Sequence, residues 1–136
     1  MLRDITAYLC DIIDACDSIA SILAGISLEK YVVTREKRSA VEREFIVIGE
    51  AVSMLAKFWP DRFRRLSDGR KVIGFRNILT RNYASVDHET VYETALKDVP
   101  KLRRECVEIL SASEDVVISA SEDVVTDGRE ERPGTD

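Results

Sequence analysis

At 136 residues the chain is long enough for one domain and leaves little room for a second. An apolar content of 45% with only 6 Gly and 3 Pro excludes collagen-like and wholly disordered chains. The formal net charge of -5, taken as an average, argues against a nucleic-acid partner.

The chain opens MLRDITAYLC, with acids at Asp4 and Asp11, which is not the basic-then-apolar pattern of a secretory signal. Ile5, Leu9, Ile12, Ile13, Cys16, Ile19 and Leu23 recur at spacings of three and four, predicting an amphipathic helix over residues 3–23 that ends near Gly25. Residues 27–33 read as a connector with room for one helical turn. A second long helix is predicted from Thr34 as N-cap through Val41, Phe45, Ile48, Ala51, Val52 and Leu55 to Trp59, where Pro60 stops it.

Residues 61–68 read as a basic turn and loop closed by Gly69, and residues 71–82 as a third helix. Asp87 or Ser85 is placed to cap a fourth over residues 89–97. Asp98 is placed to cap a fifth, with Pro100 in its tolerated first turn. The fold class is therefore all-α, an antiparallel bundle of about five helices occupying residues 1–110. No apolar run approaches a membrane span, since even 45–55 is broken by Glu50, and the expected location is the cytoplasm.

Residues 111–136 differ from the rest. SASEDVV occurs at 111–117 and again at 119–125, two copies where a solenoid needs more. The first copy is placed to extend the last helix; the remainder reads as a solvated or disordered acidic tail, with masking of the basic residues as its rival reading. This tail carries eight acids against Arg129 and Arg132, a local -6, leaving residues 1–110 at +1. Within them, residues 57–81 hold eight basic side chains against Asp61 and Asp68, a local +6. Cys10, Cys16 and Cys106 are odd in number with no CxxC spacing, so reduced thiols are expected, with no metal site and no cofactor.

The third helix carries the chemistry. At 100° per residue from Arg76, Val72, Phe75, Ile78 and Leu79 fall between roughly 200° and 320°, an apolar arc expected to face the core. Tyr83, Arg76, Thr80, Asn77 and Arg81 fall from about -20° to 140°, a polar arc interrupted by Ile73 and containing no acid. Uncompensated guanidinium groups beside an amide suit phosphate, because arginine presents a planar fork to oxyanions.

IGEA at 48–51, IGFRN at 73–77, Tyr83 six residues past Asn77, VD at 86–87 and VP at 99–100 resemble the HepT-like branch of the HEPN superfamily over roughly residues 1–110. The resemblance implies a helical bundle that forms a homodimer, with two Arg-x4-His-x-Tyr motifs facing across a cleft. It implies a metal-independent endoribonuclease, the toxin of a toxin–antitoxin pair, neutralised when an MntA-like minimal nucleotidyltransferase transfers AMP to the motif tyrosine. Carried over by position, Arg76 is the motif arginine, Asn77 the polar residue after it and Tyr83 the adenylylated tyrosine.

One position departs from the motif. Where the histidine is expected, the chain has Arg81. RNA cleavage of this kind needs the 2′-hydroxyl deprotonated and the leaving 5′-oxygen protonated, a task for a group titrating near neutrality. Arginine stays protonated and cannot cycle protons. Arg76 retains the capacity to stabilise phosphorane charge, so the resemblance implies an RNase toxin impaired in cleavage. The alternative is an inactive helical dimer that binds RNA or its nucleotidyltransferase partner.

His88, the sole histidine, lies twelve residues past Arg76 and reads as a first-turn or surface residue. Glu50 reads as the structural partner of an arginine, with a catalytic carboxylate as the rival role. Tyr83 is either a helix-end packing residue or the modification site. The arginines 62, 64, 65 and 70 form either a solvated basic loop or an RNA-backbone contact, with Arg65, Arg70 and Lys71 as the candidate RNA-binding residues. Tyr8, Tyr31, Tyr92 and Trp59 do not interleave with basic residues as a stacking platform would.

Overall fold

The computed structural model describes the backbone of residues 3–123 and the side chains of residues 3–112 except Tyr83. Six α-helices follow one another: α1 (Ile5–Leu23), α2 (Leu28–Val33), α3 (Arg35–Phe58), α4 (Pro60–Phe63), α5 (Gly69–Arg81) and α6 (His88–Asp123). A short 3-10 turn, Tyr83–Ser85, joins the last two, and no strand occurs among the described residues. The all-α expectation holds.

Helix ends follow from local chemistry. After α1 the chain turns at Gly25, whose φ of 71° lies in the left-handed region that glycine enters without steric cost. Ser27 caps α2 by accepting from the Lys30 amide. Thr34 stands at the N-cap of α3, but its hydroxyl donates backwards to the Lys30 carbonyl and caps nothing. Pro60 opens α4 at the position where a missing N–H costs no helical bond. Asp87 caps α6, accepting from the Glu89 amide and the Thr90 hydroxyl.

The two predicted C-terminal helices are one. Helix α6 runs unbroken through Pro100, which neither starts a helix nor ends one. Proline inside a helix costs about 3 kcal/mol through a lost hydrogen bond and ring crowding. Here the apolar series Val91, Ala95, Val99, Leu102, Cys106 and Ile109 crosses the proline without a change of period and is buried throughout. At roughly 1.5–3 kcal/mol per large buried aliphatic side chain, that burial outweighs the defect. Beyond the bundle, α6 continues through the first copy of SASEDVV and into the second; residues 124–136 of the expected tail lie outside the described part.

Contacts give the helix directions. Tyr8 stacks near Trp59 at 6.0 Å while Ser18 donates to Glu44, so α1 and α3 are antiparallel. Tyr92 donates to the Ile26 carbonyl while Arg103 pairs with Asp17, so α1 and α6 are also antiparallel. Leu9, Ile12, Ile19, Val41, Ile48, Val52, Leu55, Val91, Cys106 and Ile109 form the centre, all essentially inaccessible. Cys16 and Cys106 lie in this core as free thiols, and burial pushes each up to about 12.

Candidate functional site on helix α5

Helix α5 is fastened at one face and one end. Against α3, Phe75 meets Phe45 edge-on at 5.0 Å and Leu79 is buried. At its N-terminal end, three polar links reach α6: Lys71 to Asp98 at 2.7 Å, Lys101 to Asp68 at 2.8 Å, and Glu105 to both the amide and the hydroxyl of Ser67. The carboxylate partners raise both lysines above their ordinary pKa, hydrogen bonding to Asp98 and Asp68 being the main cause. Gly69 starts the helix where a Cβ would lie 2.6 Å from the Phe63 ring, and Arg70 stacks over that same ring at 5.2 Å.

The crossing of α3 and α5 places Arg76. A Cβ built on Gly49 would lie 2.2 Å from the Arg76 Cβ, so only glycine lets the two helices approach with the arginine stem between them. This is the physical content of the glycine in IGEA. The Arg76 guanidinium then meets the Asn77 carboxamide oxygen at 3.0 Å and the Glu50 carboxylate at 3.5 Å. Its Nε is buried without a partner. Of five N–H donors these contacts use two, and the side chain remains 28% exposed, so donors are left for an incoming oxyanion.

Several sequence readings change here. Arg76 is not uncompensated: the acid absent from α5 is supplied by α3. Glu50 does pair with an arginine, but it is 60% exposed rather than buried. Thr80 is exposed but donates its hydroxyl proton to the carbonyls of Arg76 and Asn77, so that towards a ligand it acts only as an acceptor. Of the expected core arc, only Leu79 is fully buried, and Ile78 is 46% exposed. The helical register does not extend to Tyr83, because Asn82 leaves the helix at φ -144° and a 3-10 turn follows. The Tyr83 side chain lies outside the described ones.

Arg81, the last residue of α5, is exposed and has no carboxylate within 4 Å among the described residues. Arg65 is likewise exposed and unpaired among them. Lys71 is engaged with Asp98, and Arg70 is exposed on its Phe63 seat. His88 occupies the first turn of α6, its Nδ1 3.8 Å from Glu42. Glu42 and Glu50 are eight residues apart on α3, about 12 Å along its axis, so His88 and Arg76 attach to that helix two turns apart.

Sequence reasoning missed an open groove of about 270 Å³ between α5 and α6, with Phe45, Val72, Phe75, Ile78, Val99 and Leu102 among its apolar lining. Its signal was present in the width of the apolar arc, which is broader than one neighbouring helix can cover. Among the described residues no cluster of His, Cys, Asp and Glu could hold a metal ion, and no helix is long and apolar enough to cross a membrane.

Fold and site together define a helical bundle of the HEPN type, carrying an Arg-Asn pair on a helix set by a glycine crossing. The family model described as "Ribonuclease HepT-like" matches residues 12–109, and the chain belongs to that family. Its relatives include two proteins from different organisms that are each named "Putative RNase". One, from Methanocaldococcus jannaschii, is 31% identical over 82% of this chain and 92% of its own length. The other, from Caldanaerobacter subterraneus, is 31% identical over 76% and 91%. A Thermococcus cleftensis protein named "Probable ribonuclease HepT" is 30% identical over 76% of this chain and 93% of its own. No solved structure gives a significant match.

Proposed function

We propose that the chain is the toxin component of a HepT/MntA-type toxin–antitoxin pair, an RNase-fold protein of the cytoplasm that acts on RNA as a homodimer. The bundle of residues 1–110 forms the site and residues 111–136 are an acidic appendage to it. In the dimer, α5 of each copy faces a shared cleft, and the second copy covers the apolar groove beside Ile78. Arg76 binds the scissile phosphate and stabilises charge that builds on its oxygens. Asn77 holds the guanidinium through its carbonyl oxygen and keeps its NH2 for the substrate. Arg65, Arg70 and Lys71 contact the RNA backbone.

Arg81 binds phosphate but moves no proton, so attack by the 2′-oxygen and departure of the 5′-oxygen lack their acid/base partner and cleavage is impaired. The antitoxin is an MntA-like nucleotidyltransferase. The Tyr83 phenol oxygen attacks the α-phosphorus of its nucleoside triphosphate, forming a P–O bond as pyrophosphate leaves. An added AMP is itself a phosphodiester and competes with RNA for the guanidiniums of the site. A second reading, a non-catalytic dimer that binds RNA or this partner, rests on Arg81 alone.

The observation that supports the first reading is the anchoring of Arg76: a glycine crossing, an amide and a carboxylate hold this one arginine in a family of ribonuclease-like chains. Restoring the histidine tests it. Arg81→His is expected to gain RNA cleavage and to arrest growth on expression, with both lost again in Arg81→His/Arg76→Ala. No gain of cleavage establishes the binding reading instead. Co-expression with the nucleotidyltransferase, followed by intact-mass measurement, is expected to show added AMP that Tyr83→Phe abolishes.

A further inference from the structure

Of the aromatic residues whose side chains are described, only Phe58 is exposed, at 42%. It ends α3 and meets the Trp59 ring edge-on at 6.2 Å, and Trp59 in turn reaches Tyr8 at 6.0 Å. Trp59 and Tyr8 are folded into the core at this end of the bundle, whereas Phe58 is turned out of it. A single exposed apolar side chain is ordinary on a protein surface. What distinguishes this one is its company.

That company is basic. Lys57 lays its ammonium over the Phe58 ring at 5.2 Å, and Arg62, Arg64 and Arg65 follow on α4 and the turn after it, all exposed. Asp61 compensates Arg64; Lys57, Arg62 and Arg65 have no carboxylate within 4 Å among the described residues. None of residues 57–65 lines the groove assigned to the second copy, so this end is a separate surface. It is nonetheless in line with the site. Lys57 follows Glu50 by seven residues, two turns, which puts both on one outer face of α3 about 10 Å apart along its axis, and Glu50 is the carboxylate that Arg76 meets. An exposed ring among unpaired cations, a short way from a phosphate-binding arginine, suits a nucleotide strand. Every base offers a π-face to the ring, and the phosphates on either side of it offer charge to the cations.

We infer that Phe58 is a base-stacking residue for single-stranded RNA, holding a base of the strand whose scissile phosphate lies at Arg76. The base takes the place of the Lys57 ammonium on the ring, and the ammonium moves to the adjoining phosphate. A cation–π contact at an exposed position is weak, so this exchange costs little. The inference rests on the RNA reading above and adds to it a subsite away from the scissile bond, on α3 rather than α5.

The test uses the full chain and two fluorescein-labelled RNA strands of equal length, oligoadenylate and the same strand made abasic, read by anisotropy. Thermal midpoint and sedimentation velocity are measured in parallel. Phe58→Leu is expected to bind oligoadenylate about tenfold more weakly than wild type and the abasic strand equally well. Phe58→Tyr and Phe58→Trp, which keep a ring, are expected to retain wild-type affinity for both. The slope of log affinity against log salt is expected to stay the same in Phe58→Leu and to fall by about 0.7 in Lys57→Gln. Wild-type affinity for oligoadenylate in Phe58→Leu overturns the inference while leaving RNA binding itself intact. The same affinity with a changed sedimentation coefficient assigns Phe58 to protein contact and also overturns it. Equal loss on the abasic strand, or equal loss in the tyrosine and leucine variants, shows that no base is stacked, with the same consequence. Should Phe58→Leu lower the midpoint by more than about two degrees, the tyrosine and tryptophan variants decide the matter alone: weakened binding in both overturns the inference. Failure of the wild-type protein to bind either strand overturns the RNA reading first and this inference with it.

Discussion

Helices α1, α3 and α6 bury an almost unbroken series of apolar side chains against one another, whereas α5 buries only Gly69 and Leu79. The first three make the fold; α5 is attached to α3 by one face and to α6 by polar links at one end. The residues proposed to form the cleavage site lie on or beside the less embedded helix. A site that must admit a polymer cannot sit within a closed core, so its position is fixed by a few close contacts rather than by extensive burial.

Equal truncations on the two sides therefore have very different expected costs. Ile48→Ala, in the inaccessible centre, is expected to lower stability by about 3 kcal/mol in urea denaturation. Ile78→Ala, half exposed at the groove, is expected to cost under about 0.5 kcal/mol in the monomer. Comparable losses would show that α5 is part of the core after all.

The crossing itself is the next largest. Gly49→Ala drives a methyl into the Arg76 stem and is expected to lower stability by about 2 kcal/mol and to weaken RNA binding with it. Gly74→Ala, where an added Cβ meets nothing within 4 Å, is expected instead to raise stability by up to about 1 kcal/mol, which sharpens the contrast between an inner and an outer glycine. Unchanged stability in Gly49→Ala would mean that the helices slide apart freely, and that Arg76 is not held as described.

A smaller effect reads the core alone. Cys16 and Cys106 are raised from 9.0 to about 12, chiefly by burial, with Asp17 adding to the first and Cys16 to the second. Their folded pKa values lie above the unfolded ones, so the folded state holds more protons between pH 9 and 12. The stability they contribute is complete below about pH 9 and falls as pH rises towards 12. Replacing both by alanine is expected to flatten this alkaline loss. In the native wild type, both thiols are expected to resist alkylation at pH 8, leaving Cys10, which is only partly buried, as the one modified.

Much of this was legible in sequence. The three-and-four spacing along residues 5–23 and 41–55 specified which faces of α1 and α3 are buried, because burial of an apolar stripe follows helical period wherever the helix lies. Pro60 and Gly25 marked ends for reasons local to the backbone. Pro100 misled because its local preference was overridden by the apolar series on both sides of it. At the site, the string IGFRN singled out Arg76 and Asn77 as candidates, and the family resemblance implied a histidine where the chain has Arg81. The string gave no sign that Glu50 would compensate the arginine, since that pairing joins residues 26 apart in sequence.

By itself, then, the sequence determined the helical class and the family, both of which depend on neighbours along the chain. Only the tertiary structure decided that Gly49 is the seat of Arg76 and that Gly74 and Ile78 are left at an open groove. Those depend on where α5 crosses α3 and how little of it α6 covers, distances set by packing between segments that no local pattern encodes.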